Sequence, residues 1–399
     1  MKPEFYRKVL KNGMTVILEK RSLPIVAVSF AVRCGGINES AEEKGISHFV
    51  EHLLYKGTPK RNAKQIAEAI ERNGGELNGF TDEIITAYWC KMPSKHISVA
   101  LDVLSDMVKN PLFDQKEIDK ERKVIFEEIK MRKDVPRVYV TDKIQNFLYD
   151  APLGSNLIGT HETMSSIDRK KILTRFKEVY TPNNMILCVV GDADFQELCN
   201  FAEKNFDNKK GSVPQFKVVE KNNSSIETRK GVDQANLMFA YHVPNLGQKD
   251  AYTAFALGAV LGEGMSSRLF SEIREKRNLA YAVKGNSNIN RDYSYNMIYV
   301  GTTKDKIEEV KKLILKEFEK VADELGEKEL SEVKEQLIGH YQISMEDSVL
   351  QMSSLLLWEI NGFFEDFYDF EKKIKTVNLE DVKKMAKLKN YSFFALVPE

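Results

Sequence analysis

The chain has 399 residues, of which 42% are apolar and 30% are charged. This length is too great for one compact core and predicts two domains, or two pairs of smaller ones. Because Lys and Arg together number 59 and Asp and Glu together also number 59, the formal net charge is zero. A neutral chain lacks the basic surface that phosphate backbones require, so nucleic acid is not expected as a partner.

The N-terminus and the cysteines indicate a cytoplasmic protein. The first residues, MKPEFYRKVLKNGMTVIL, contain neither an apolar signal segment nor an Arg- and Ser-rich presequence. No stretch approaches the roughly 18 apolar residues that a membrane span needs. The four cysteines form no CxxC pair, which is typical of reduced core residues. We therefore expect the mature chain to begin at residue 1, to stay in the cytoplasm and to have no membrane partner.

The first half of the chain mixes strand and helix patterns. Short β-rich runs predict strands at 14–18, 25–32, 86–90 and 186–190. Apolar residues at helical spacing predict helices at 46–55, 63–73, 97–109 and 115–133.

A polar segment then separates two halves of similar organisation. Residues 207–229 are rich in Lys, Asn, Ser and Gly and contain Pro214, so we predict a linker at 211–229 between domains at 1–210 and 230–399. Beyond it, strands are predicted at 237–243, 295–300 and 392–397, and helices at 251–261, 268–274, 306–325 and 328–345. The recurring order predicts an α+β fold. We expect two structurally similar domains, each a mixed or antiparallel sheet with helices packed on one face.

Residues 48–52 read HFVEH, and this segment indicates a metal site. Positions i and i+4 share a helix face, so His48 and His52 can direct two imidazole nitrogens at one zinc ion. Glu51 lies beside them and can take a proton from water that the metal acidifies. HxxEH reverses the order of HExxH, with the same geometry available. With only six histidines in the chain, an accidental HxxEH is a roughly one-in-a-hundred event.

Two histidines leave a metal ligand missing, and the long helix before residue 134 offers three glutamates. Glu121 and Glu128 lie seven residues apart on one stripe of that helix. Val124 and Ile125 share the stripe and predict that it faces inward, where a carboxylate needs a cation or a hydrogen-bond partner. Glu127 points about 100° away and is expected to be solvated. Helix geometry leaves Glu128 and Glu121 both open as the third ligand, with ion pairs to neighbouring arginines as the alternative.

These two segments resemble the pitrilysin/insulinase family of zinc peptidases, in the short, half-length type related to the mitochondrial processing peptidase. Residues 48–58 (HFVEHLLYKGT) match the family's metal helix and its exit, and residues 121–128 (ERKVIFEE) match its second metal segment. The resemblance implies that Glu128 is the third ligand of one zinc ion per chain. It also implies that Glu121 supports the catalytic site from behind the ligands.

A third match concerns substrate binding. Residues 77–81 (LNGFT) resemble the family's edge strand, to which a peptide substrate adds as a further strand. The family usually has alanine at the position of Gly79. The substrate-binding residues that the resemblance implies are Asn78, Gly79, Phe80 and Thr81.

In the second half, residues 267–281 resemble the segment that supplies an arginine and a tyrosine to the active site. Arg274 and Tyr281 keep the family's spacing, whereas Asn278 stands where glycine is common. The resemblance implies that both side chains stabilise charge on the reacting peptide and anchor it. The residues alone, without the resemblance, favour a surface ion pair for Arg274 and a core position for Tyr281.

The resemblance also implies an assembly, because the family's active site needs two halves that enclose a chamber. This half-length chain carries both the zinc residues and the Arg274/Tyr281 pair, which implies a homodimer with two composite sites. The expected activity is endopeptidase cleavage of small unfolded peptides. The alternatives are a heterodimer with a metal-free subunit, and a non-catalytic subunit of a heterodimeric processing peptidase.

Overall fold

The computed structural model describes residues 3–399, so the first two residues of the predicted first domain lie outside it. The chain divides into two compact units, each containing a β-sheet and helices. The first comprises residues up to Lys130, Ser155–Lys217 and Ser344–Ile360. The second comprises Met131–Gly154, Val218–Ile343 and Asn361–Glu399. The predicted α+β fold with two similar sheet-and-helix domains is confirmed, while the domain boundaries drawn along the sequence stay a prediction.

The two sheets repeat one topology. In chain order the strands are β1 (Phe5–Val9), β2 (Thr15–Lys20), β3 (Ile25–Val32), β4 (Glu76–Thr81), β5 (Thr86–Pro93), β6 (Met185–Gly191), β7 (Ser224–Arg229), β8 (Ala235–His242), β9 (Ala280–Ile289), β10 (Ser294–Thr302) and β11 (Ser392–Pro398). The first sheet has the order β1-β2-β6-β3-β5-β4 and the second the order β7-β11-β8-β10-β9. Apart from β1, both sheets place their strands in the order first, fifth, second, fourth, third. In both, the first and fifth strands pair in parallel.

The helices follow the predicted pattern where it is strongly periodic. In chain order they are α1 (Ile46–Leu54), α2 (Ala63–Glu71), α3 (Ile97–Lys109), α4 (Gln115–Asp134), α5 (Pro136–Leu148), α6 (His161–Ser166), α7 (Arg169–Val179), α8 (Phe195–Asn205), α9 (Ala251–Gly262), α10 (Ile307–Glu324), α11 (Glu327–Ser344), α12 (Ser348–Ile360), α13 (Phe364–Tyr368), α14 (Phe370–Lys375) and α15 (Leu379–Met385). The predicted helices at 97–109, 115–133, 306–325 and 328–345 agree with α3, α4, α10 and α11 to within one residue at each end. The helix predicted at 268–274 is instead a π-helical segment, Phe270–Glu275.

Both faces of β3 are covered in the first unit. The side chains that enter the main core alternate along the strand: Val26, Val28, Phe30 and Val32. The residues between them are small and equally buried: Ala27, Ser29 and Ala31. Their small size allows α12, from the second half of the sequence, to contact β3 and β6. In the second unit, α5 from the first half contacts β8 and β11. Each unit therefore takes one helix from the other half of the chain.

The C-terminal end of the predicted linker is a β-strand. Residues 224–229 form β7, which pairs in parallel with β11. Most of its side chains are exposed, and so are those of β1, which the sequence also does not predict. Because exposed edge strands bury few side chains, neither shows the apolar alternation on which strand prediction depends.

The helices and cysteines bear on the predicted compartment. Within residues 3–399, no helix is both long and apolar enough to cross a bilayer. The four cysteines are buried and form no disulfide. Burial raises the pKa of Cys34 and of Cys90 to about 12, so neither is a reactive thiolate near neutral pH. The cytoplasmic location stays a prediction.

Glu359, near the end of α12, anchors this helix to the first sheet. Its carboxylate accepts hydrogen bonds from Arg7 Nε and Nη2 at 2.7 and 2.8 Å and from Arg33 Nη2 at 2.7 Å. Its side chain is only 3% exposed. Burial alone would raise the pKa of Glu359, but the hydrogen bonds and charges of Arg7 and Arg33 outweigh it and hold that pKa below its ordinary value. The ionised carboxylate therefore ties α12 to β1 and to the residue that follows β3.

We predict that Glu359→Gln destabilises the chain by about 2 kcal/mol, because charge-assisted hydrogen bonds to two arginines are lost in a buried place. The midpoint of thermal unfolding measures this. Since the folded-state pKa is lowered, the stabilisation is present above the unfolded pKa of about 4.3 and is lost as the pH falls through the folded value. The difference between parent and variant should therefore shrink in acid. Glu346→Gln, at an exposed glutamate just before α12, serves as the control and should change stability by less than about 0.5 kcal/mol.

Candidate metal centre

The helix that carries the HxxEH motif begins at a fixed point. Gly45 precedes α1 with a φ of 97°, and a Cβ at this position would lie 2.7 Å from the carbonyl oxygen of Ile158. Both facts favour glycine there. The carboxylate of Glu39 accepts the N–H groups of Gly45 at 2.9 Å and Ser47 at 2.7 Å. An anion at a helix N-terminus satisfies free N–H groups and favours the helix dipole, so Glu39 fixes the start of α1.

A buried lysine connects this point to the turn between β4 and β5. Lys44 is almost fully buried, and its Nζ lies 3.9 Å from Glu39 Oε2 and 3.4 Å from Glu83 Oε2. The same Nζ donates to the carbonyl oxygen of Gly36 at 2.8 Å. Burial raises the pKa of Glu39, and the Lys44 charge opposes that shift. The paired charges hold α1 in register with the β4–β5 hairpin.

Three side chains from α1 and α4 bring ligand atoms together. His48 Nε2 and His52 Nε2 lie 3.2 Å apart, and Glu128 Oε2 lies 3.5 Å from the first and 3.8 Å from the second. Ligand atoms about 2.0–2.2 Å from a tetrahedral zinc ion lie about 3.3–3.6 Å from one another. This is the one such group of three that could hold a metal ion within residues 3–399. Two imidazoles and a carboxylate at this spacing fit zinc.

The other glutamates of α4 take different places. Glu121 lies on the far side of the His52 ring, where His52 Nδ1 is 3.2 Å from Glu121 Oε2. Glu127 is exposed, as expected. The prediction that this stripe of α4 faces inward is wrong at Val124, which is 49% exposed. It holds at Ile125, which is fully buried. Position 124 lies at the solvent edge of the stripe, because a helix buried on one narrow side leaves the flanking positions open.

An ion pair between Lys56 and Glu121 orients the imidazole ring of His52. Lys56 Nζ lies 2.7 Å from Glu121 Oε1, so the carboxylate bridges Lys56 and the imidazole. A carboxylate beside Nδ1 favours the tautomer of His52 that carries its proton on Nδ1, which leaves the lone pair of Nε2 for a metal ion. For Glu121, the predicted alternative to a role in the metal site is an ion pair with a neighbouring arginine; its basic partner in the structure is instead Lys56. Sequence reasoning missed Lys56, although it stands only four residues after His52, in the turn that follows α1.

Glu51 points from α1 toward β4. Its Oε2 accepts a hydrogen bond from Thr81 Oγ1 at 2.8 Å. Burial raises the pKa of Glu51; the Thr81 hydrogen bond and His52 oppose the shift, and the charge of Glu128 adds to it. One carboxylate oxygen is thus held by β4 and the other remains to act on a reactant.

The predicted substrate strand is an edge. β4 lies at the end of the first sheet, and among the described residues its one neighbour is β5. It contains all four predicted residues: Asn78, Gly79, Phe80 and Thr81. None of them is fully buried. An exposed edge offers the backbone groups to which an extended peptide can add.

Arg274 and Tyr281 are accessible side chains of the second unit. Arg274 is 45% exposed on its side chain, and its nearest carboxylate is that of Glu275 at 3.8 Å. Glu272 pairs with Lys276 and Arg277 instead. Tyr281 is 49% exposed, so it is not a core aromatic residue. The Tyr281 hydroxyl lies 3.2 Å from that of Tyr299, and the Arg274 guanidinium lies over the Phe270 ring.

The chain matches models of one peptidase family in both halves. The model described as "Insulinase (Peptidase family M16)" matches residues 15–161, and "Peptidase M16 inactive domain" matches residues 166–337. The chain is 32% identical over 391 residues to "Uncharacterized zinc protease YmxG" of Bacillus subtilis, covering 96% of this chain and 94% of that protein. It is 33% identical over 350 residues to an "Uncharacterized zinc protease" of Rickettsia felis, covering 87% and 85%.

A solved structure shares the fold. "The crystal structure of a protease from Helicobacter pylori" superposes with a TM-score of 0.93 over 100% of both chains, at 24% sequence identity. At this identity the likeness concerns the architecture alone.

We predict that Glu121→Gln lowers the affinity for zinc about 10- to 100-fold, because the amide no longer fixes the His52 tautomer or pairs with Lys56. Competition with a chromophoric zinc chelator measures the affinity. Glu127→Gln makes the same chemical change at an exposed position of α4 and should bind zinc like the parent. Equal affinities for all three proteins would contradict the orienting role.

Proposed function

Because the chain belongs to the insulinase family of peptidases (family M16), we propose that it is a zinc-dependent endopeptidase that cleaves small unfolded peptides. One observation carries the proposal: His48 Nε2, His52 Nε2 and Glu128 Oε2 lie 3.2–3.8 Å apart, as zinc ligands would. The proposed content is one zinc ion per chain.

The division of chemistry follows from the positions of the side chains. When bound, zinc polarises a carbonyl group and lowers the pKa of water. Glu51 Oε1 takes the proton from the attacking water and later gives it to the leaving amine. Thr81 holds Glu51 Oε2, so the carboxylate keeps one orientation during both transfers. Glu121 and Lys56 act through His52, whose ring they orient.

The proposed substrate lies along β4. A peptide that adds to this edge is held by main-chain hydrogen bonds, which accept many sequences but require an extended, unfolded chain. Glu51 is bonded to Thr81 at the end of β4, so a peptide along Asn78–Thr81 passes beside the proposed base.

The proposed assembly is a homodimer that encloses two shared sites. Its support is that one half-length chain carries the zinc residues in its first unit and the exposed pair Arg274 and Tyr281 in its second. In such a dimer, Arg274 and Tyr281 of one protomer anchor the peptide and stabilise developing negative charge beside the zinc of the other. The alternative of a non-catalytic subunit is disfavoured, because His48, Glu51, His52 and Glu128 are all present.

We predict that Glu51→Gln binds zinc like the parent and hydrolyses a fluorogenic peptide at no more than background rate, because an amide cannot accept the proton of water near neutral pH. Zinc content and initial rates measured on one preparation test both halves of this expectation. Glu127→Gln is the matched control and should keep the parent rate. Near-parent hydrolysis by Glu51→Gln would show that another group is the base.

The shared site can be tested by mixing two inactive variants. Glu51→Gln and Tyr281→Phe chains, combined under conditions of subunit exchange, form mixed dimers with one intact site and one doubly defective site. We predict that activity returns to about a quarter of the parent level, because half of the particles are mixed and each has one good site. No recovery, with exchange demonstrated by mass, would mean that each site lies within one protomer or needs a different partner.

A further inference from the structure

The hydroxyl of Tyr55 is a buried polar group without a hydrogen-bond partner. Tyr55 follows α1 directly, and its hydroxyl oxygen has no accessible surface and no partner among the described residues. A buried hydroxyl without a partner costs about 1–3 kcal/mol, so such groups usually have a functional reason. Neighbouring Tyr88 does not supply the partner, because the Tyr88 hydroxyl is bonded to that of Tyr180 at 2.7 Å.

The Tyr55 hydroxyl lies where any residue other than glycine at position 79 would have its Cβ. A Cβ at Gly79 would be 2.4 Å from the Tyr55 hydroxyl oxygen, far inside contact distance. The same Cβ would be 3.2 Å from Glu51 Oε1 and 2.8 Å from the carbonyl oxygen of Ala87. The absence of a side chain at Gly79 therefore makes room for Tyr55, whose hydroxyl occupies the place of a Cβ.

Two hydrogen-bond acceptors, the Ala87 carbonyl oxygen and Glu51 Oε1, lie next to the position of a Cβ at residue 79. They differ in the hydrogen bonds that they already accept. The Ala87 carbonyl belongs to the paired strands β4 and β5. Glu51 receives a hydrogen bond from Thr81 on Oε2, and its Oε1 has no partner among the described residues. Glu51 Oε1 and the Tyr55 hydroxyl oxygen both lie within 3.2 Å of one point, the position that a Cβ of residue 79 would occupy.

The Tyr55 hydroxyl can act as a hydrogen-bond donor near neutral pH. Burial raises the pKa of Tyr55 well above its ordinary value, and the charge of Glu51 adds to the shift. The hydroxyl therefore keeps its proton near neutral pH and can donate to a carboxylate.

We infer that Tyr55 is a positioning residue for Glu51, with its O–H donating to Glu51 Oε1 in the space that Gly79 leaves open. Thr81 and Tyr55 then hold the two oxygens of the base from β4 and from the end of α1. This inference rests on the proposed peptidase function and adds to it a pair, Tyr55 and Gly79, that is coupled in packing and chemistry.

The test compares four proteins: the parent, Tyr55→Phe, Gly79→Ala and the double variant. Tyr55→Phe should keep the zinc content and the unfolding midpoint while kcat falls about tenfold and KM changes little, because a hydrogen bond to a charged group is lost. Gly79→Ala should lower the unfolding midpoint of the parent. In the Tyr55→Phe background, Gly79→Ala should lower the unfolding midpoint less, because the clashing oxygen is absent. The kcat of the double variant should stay as low as that of Tyr55→Phe.

Tyr180→Phe is the control, since it removes a buried phenol that is hydrogen-bonded to Tyr88. It should lower the unfolding midpoint and leave kcat unchanged. Parent-like kcat in Tyr55→Phe would overturn the inference, and a lowered midpoint with unchanged kcat would assign the hydroxyl to the Ala87 carbonyl. An inactive parent would overturn the proposed function together with this inference, whereas an active parent with unaffected Tyr55→Phe overturns the inference alone.

Discussion

The four-residue spacing of His48 and His52 on α1 is the constraint on which the rest of the site depends. It brings the two Nε2 atoms within 3.2 Å of each other, a distance at which two lone pairs repel unless a cation or a proton lies between them. Glu128 on α4 adds the anionic oxygen that such a cation requires. The surrounding structure holds this arrangement: Glu39 fixes the start of α1, and Glu121 fixes the ring of His52.

Two clusters of ion pairs lie behind the metal-binding atoms. Behind His52, the Glu121 carboxylate is shared with Lys56, and behind the start of α1 the buried Lys44 is shared by Glu39 and Glu83. In each cluster a buried charge is compensated by an opposite one, as a low-polarity environment demands. The ion pairs therefore lie at the two ends of α1, at Lys44 before it and at Lys56 after it, and small shifts at either end would misplace the ligand atoms.

The sequence predicts α1, which carries the proposed base and two of the proposed metal ligands, and the α+β class, because these follow from local spacing and from periodicity. It leaves Glu121 and Glu128 undecided because both lie on one stripe of α4, and only the packing of α4 against α1 separates them. Exposed edge strands such as β1 and β7 carry no apolar alternation and are missed. The assignment of α5 and α12 to units outside their own half of the chain depends on long-range contacts. The ion pair of Lys56 with Glu121 and the place of the Tyr55 hydroxyl beside Gly79 also depend on long-range contacts.

X-ray absorption at the zinc edge of the zinc-loaded protein tests the central claim, the ligand set, most directly. The structure predicts saturation at one zinc per chain, with nitrogen and oxygen ligands at about 2.0–2.2 Å and outer scattering from two imidazole rings. The carboxylate contribution should disappear in Glu128→Ala and persist in Glu127→Ala. A sulfur ligand at about 2.3 Å, fewer than two imidazoles, or an unchanged spectrum in Glu128→Ala would contradict the assignment.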